Sequence, residues 1–181
     1  APPEAKIHAF EIAPDTHKLL AGNLNDSGVA NAFGLGAQER TIRVNVTPGN
    51  DLVSSALEMS DLRQGPPVEC PIRGETPLPQ HGIDRIDLPK IDVEGAEHLV
   101  MDGFGDMLSK VGVFNGDGMA NAYSRVLLKD YYDRLHGRGF ASAGQPDRVA
   151  FKGYDPRDEG FALSNWVAVN RQLWTMLKAL A

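Results

Sequence analysis

The chain has 181 residues, about one domain's length, with 42% hydrophobic and 23% charged residues, the balance of a folded globular protein rather than a disordered or fibrous one. A formal net charge of −6 offers phosphate backbones no broad positive field and argues against a nucleic-acid partner. No stretch comes near the roughly 20 apolar residues of a membrane span, and a single cysteine, Cys70, excludes an internal disulfide framework, so a cytoplasmic location is the default expectation.

Residues 5–12, "AKIHAFEI", alternate as a strand, and 13–24, "APDTHKLLAGNL", read as a helix starting just after Pro14. "GVANAFGLG" (28–36) is a second short strand closed by glycines, and "RTIRVNV" (40–46) a half-exposed one. The turn formers of 47–67 predict a loop. "VECPIR" (68–73) suits an edge strand, because Pro71 cannot donate in a central ladder. The next strand falls at about 89–94. Leu99, Val100, Phe104 and Leu108 then define a helical face over 96–108, weakened by Gly103 and Gly105. "VGVFNG" (111–116) is a strand, and "AYSRVLLKDYYDRLHGRG" (122–139) is the strongest helix, with Tyr131 and Leu135 on its apolar face. Two late strands, "RVAFKGYD" and "NWVAVNR", precede a closing helix, "RQLWTMLKAL". Alternating strands and helices predict an α/β layered sheet, partly parallel.

The stretch that resists a purely structural reading is "KIDVEGAEHLVMDGF" (90–104), which sets Asp92, Glu94, Glu97 and Asp102 in a run shaped like buried strand and helix. In an open parallel sheet, ligands sit beyond the carboxyl ends of strands, where these acids fall. On a continuing strand, Asp92 and Glu94 project to one side. A carboxylate buried there without a partner is costly, which favours a functional role for Asp92. Glu97, in the first helical turn, reads as a complement to the helix dipole. Glu11, ending the first strand, is placed to accept ribose hydroxyls, although many strands end near a charge. The five histidines are scattered without metal-ligand spacing. A Mg²⁺ site from Asp92, Glu94 and Glu97 is a weaker alternative, and no serine has a nucleophile-elbow context.

The same run resembles the strand-four motif of the FkbM family of S-adenosylmethionine-dependent methyltransferases, very nearly K-I-D-V-E-G-A-E followed by a helix. "AFEIAPDTHKLLAGNLNDSGV" resembles that family's second strand and helix, "FGLGAQERTIRVNVTPGNDLVSSAL" its third-strand region, and "AYSRVLLKDYYDRLHGRGF" and "NWVAV" later elements. Most of residues 5–170 are covered, and the strand-four motif is the specific part. Three departures stand out. "GETPLPQHG" replaces a usual Thr-Leu-Asp segment, Phe114-Asn115-Gly116 stands where an acid is common, and the first strand with its glycine-rich loop is not among the residues given.

The resemblance implies a Rossmann-like class I methyltransferase sheet with helices on both faces, a single domain over residues 1–181 that lacks its first strand. Its cofactor is S-adenosylmethionine, held by Glu11, Gly36 and Asp92, and its acceptor is a hydroxyl of a small molecule, sugar or lipid. Alignment of nucleophile and methyl carbon is the main source of rate, with Asp92, Glu94 or His98 as base; His98 is otherwise an exposed helix residue. If a strand belongs between those of residues 6–11 and 89–93, the two stretches do not pair directly. Direct pairing would favour the alternative, a non-catalytic remnant of the fold that serves as an interaction or scaffold domain.

Overall fold

The computed structural model describes residues 5–45, 67–74, 77–93, 95–119, 126, 128–143, 146–147, 150–151 and 163–180. Strand β1 (Ile7–Phe10) leads into helix α1 (Pro14–Leu24). Pro14 supplies a fixed φ and no orphaned N–H at the first helical position, and Asn25, at φ 46°, ends the helix with its N–H on the Ala21 carbonyl. After a 3-10 turn come β2 (Gly28–Asn31), β3 (Gly34–Leu35) and β4 (Arg40–Asn45). Next are β5 (Pro67–Arg73), α2 (Pro77–Gln80), β6 (Lys90–Ile91) and α3 (Glu97–Gly103). A 3-10 stretch (Gly105–Lys110) leads to β7 (Val113–Met119), α4 (Leu128–Gly137), β8 (Phe140–Ala143), β9 (Pro146–Asp147), β10 (Ala150–Phe151), β11 (Leu163–Asn170) and α5 (Arg171–Leu180).

β1 pairs in parallel with β2, and Asn31 secures the pair through its side-chain amide, which donates to the Ala9 carbonyl at 3.0 Å. A four-stranded sheet has the order β6-β7-β11-β8, with β6 parallel to β7 and β11 antiparallel to both neighbours. A three-stranded sheet has the order β3-β5-β4. No ladder joins β1 to β6 among the described residues.

One apolar cluster holds the chain together. Ile91, Phe114, Phe140 and Ala168 of the four-stranded sheet meet Met101 of α3, Phe104, Met107 and Leu108 beyond it, and Tyr131 and Leu135 of α4. Phe104 and Phe114 stand edge to face with ring centroids 6.2 Å apart. Phe10 and Phe33 pack on this cluster from the β1–β2 side.

Several expectations are corrected. "GVANAFGLG" makes two strands in different sheets, β2 and β3, because the chain leaves the β1 ladder after Asn31. β5 is central rather than an edge, and Pro71 is tolerated because β3 pairs only with Ile72 and Arg73. β6 ends at Ile91, so Asp92 lies in a turn. The helix of 96–108 stops at Gly103, since Gly105 adopts φ 50° and the chain tightens into 3-10 geometry. α4 is described from Leu128, the start expected at 122 lying outside the described residues, and β8 was not anticipated. The loop of 47–67 also lies, apart from Pro67, outside the described residues.

Candidate functional site

The turn that follows β6 is built from below by a buried side chain. Glu97 opens α3 and is 0% exposed. Its Oε1 accepts the backbone N–H groups of Val93 at 3.2 Å and Gly95 at 3.0 Å, and its Oε2 accepts the Tyr131 hydroxyl at 3.3 Å. Gly95 stands at φ 100°, a left-handed conformation that glycine adopts without steric cost. The local fold thus turns sharply at the only residue of 92–97 free to do so and aims its amides at the carboxylate beneath.

Asp92 is not buried. Its side chain is 52% exposed, and its Oδ2 lies 3.2 Å from the Lys90 ammonium. The expectation of a costly buried acid is therefore replaced by that of an accessible one. The two-residue alternation that was to align Asp92 with Glu94 does not apply to a turn, and Glu94 lies outside the described residues. Glu97 is turned inward with its oxygens engaged, so it does not join Asp92 as a metal ligand; among the described residues no group of three or more His, Cys, Asp or Glu could hold a metal ion.

His98, next in α3, is half-buried, and its ring meets Tyr131 edge-on with centroids 6.4 Å apart. Burial holds its imidazole below the ordinary range; the Arg134 guanidinium adds to this, while the Asp102 and Glu97 carboxylates oppose it. Neutral imidazole is the form that can accept a proton. Burial, then the neighbouring Glu97, pushes the Tyr131 phenol well above its usual value, so it remains a hydroxyl donor. Arg134 of α4 bonds Asp102 of α3 at 3.2 Å, which makes a second tie between these helices.

Glu11 follows β1 directly. Its N–H donates to the Asn31 carbonyl, and its Oε1 accepts the Ala13 N–H at 2.7 Å where α1 begins. No hydrogen bond or ion pair among the described residues links Glu11 to Asp92 or His98. Gly36, expected at the cofactor, donates its N–H to the Arg73 carbonyl at 2.9 Å, and the backbone of Gly103 lies against it. Its amide is thereby engaged within the fold. Asn115 carries a buried Oδ1 without a hydrogen-bond partner, and its N–H donates to the Pro89 carbonyl at 3.0 Å.

Sequence reasoning missed the inward role of Glu97 and its link to Tyr131. Thirty-four positions separate the two, and nothing local marks a first-turn acid as buried.

The chain is similar to methyltransferase sdnD of Sordaria araneosa, at 35% identity over 56% of this chain and 52% of that protein. It therefore spans about half the length of the curated relative it matches. No family model matches the chain, and no solved structure matches it significantly. Among the described residues, no helix is long and apolar enough to cross a membrane.

Proposed function

We propose that this chain belongs to an S-adenosylmethionine-dependent methyltransferase of the FkbM type, with a Rossmann-like sheet, that acts on a hydroxyl of a small molecule, sugar or lipid. The observation that carries this reading is the placement of two acidic turns. Asp92 follows β6, which runs parallel to β7, and Glu11 follows β1, which runs parallel to β2. Ligands of doubly wound sheets bind beyond such carboxyl ends. The similarity to sdnD supports the methyl chemistry.

The residues present fit the cofactor. Oε2 of Glu11 makes no hydrogen bond to the described residues, which leaves an acceptor for a ribose hydroxyl. Asp92, exposed and anionic, suits the neighbourhood of a sulfonium cation. When bound, S-adenosylmethionine supplies an electrophilic methyl group. The chain's own work is to hold the ribose through Glu11, to orient the acceptor, and to take its proton at Asp92 or at the neutral imidazole of His98.

Calorimetric titration of the full-length protein with S-adenosylhomocysteine tests this. Saturable one-to-one binding is the expected result. An absence of binding would discard the proposal in favour of a non-catalytic member of the fold.

A further inference from the structure

We infer that Glu97 is the positioning residue of this site, setting the shape of the turn that presents Asp92 while making no contact with the methyl donor itself. The inference rests on the proposed methyl transfer for its functional consequence, but its structural content stands alone. Glu97 is fully buried, and its two oxygens divide the work. One gathers the Val93 and Gly95 amides beneath the turn; the other takes the hydroxyl of Tyr131, in the middle of α4. Among the described residues no basic side chain forms an ion pair with Glu97, and the donors that hold it are neutral. With Ile91 held in β6 and the Val93 amide pulled inward, the backbone on either side of Asp92 has little freedom to reorient it. The same carboxylate ties turn to α4, so a displacement of that helix would be felt at Asp92.

Two variants separate positioning from direct participation. Glu97→Gln retains an acceptor oxygen for both amides and offers its amide N–H to the Tyr131 oxygen. Glu97→Leu keeps the volume and removes the acceptors. Amide hydrogen exchange, read at residues 93 and 95 without ligand, should accelerate about tenfold or more in the Leu variant and change little in the Gln variant, as expected for loss of hydrogen bonds to a buried acceptor. The dissociation constant for S-adenosylmethionine should follow the same pattern, about tenfold weaker for Leu and within about threefold of wild type for Gln. Unchanged exchange at 93 and 95 in a folded Leu variant overturns the inference. So does a Gln variant as impaired as Leu, which would mean that the charge itself meets the ligand. If Glu97→Leu fails to fold, the Gln variant decides alone: retained protection and affinity support positioning, and a tenfold loss of affinity refutes it. A wild type that fails to bind S-adenosylhomocysteine sinks the proposed function, and the exchange measurement then decides the inference on its own.

Discussion

The contact between Gly103 and Gly36 fixes where α3 lies, and hence where Glu97 and His98 stand. A Cβ added at Gly103 would sit 2.5 Å from the Gly36 nitrogen, 2.7 Å from its Cα and 2.8 Å from its carbonyl carbon. All three are backbone atoms of a residue whose N–H is bonded to Arg73, so no side chain can rotate away. Carbon–carbon contacts are favourable only from about 3.5 Å, so α3 must retreat on the order of 1 Å. Overpacking of this kind costs about 1–3 kcal/mol, and the rigid neighbours place Gly103→Ala at the upper end. Its φ lies outside the left-handed region, so alanine meets no backbone strain and regains up to about 1 kcal/mol of helix propensity. The net loss is about 2 kcal/mol, or a fall in Tm of about 4–8 °C for a chain of this size. Urea unfolding should show a lower midpoint at unchanged slope. Gly22→Ala is the control: nothing lies within 4 Å of its Cβ position in α1, so stability should rise by about 0.5–1 kcal/mol. A Gly103→Ala protein that melts within a degree of wild type, while Gly22→Ala behaves as stated, would refute the close approach of α3 to β3.

Asp92→Asn should raise the dissociation constant of S-adenosylmethionine about tenfold while shifting Tm by no more than a few degrees, because its half-exposed pair with Lys90 contributes only about 0–1 kcal/mol; unfolding instead would mark it as a structural acid. Glu11→Ala should weaken the same binding about tenfold through lost charge-assisted bonds to ribose, and an unchanged constant in calorimetry would exclude the ribose role. His98 and His8 are both held below the ordinary imidazole value, chiefly by burial, so the unfolded chain binds more protons near mild acidity. Stability is therefore fully present above about pH 6.5 and falls as pH drops from there through the lowered folded-state values. His98→Gln should flatten part of that slope in Tm measured from pH 7.5 to 5, and a slope identical to wild type would remove His98 from the account.

Elements governed by near neighbours along the chain were legible in the sequence. The alternation of residues 5–12 forecast β1, Pro14 marked the start of α1, and 40–46 and "RQLWTMLKAL" forecast β4 and α5. These signals depend on side-chain period and on the fixed φ of proline, which act within a few residues. The cluster of acids in "DVEGAE" was legible, but the turn that carries it was not, because the strand expected to run to about 94 ends at Ile91. What distant partners decide was not legible either. Pro71 sits in a central strand only because β3 is too short to pair beside it. Phe140–Ala143, poor in strand formers, is a strand because β11 offers it a ladder. Glu97 and Asp92, both carboxylic acids and five positions apart, go to opposite fates. A Tyr131 hydroxyl and two turned amides compensate Glu97 for leaving water, whereas among the described residues Asp92 pairs with Lys90 alone and remains at the surface. Burial of a charge is settled by which donors the fold brings to it; for Glu97 two come from the turn just before it and the third from a distant helix.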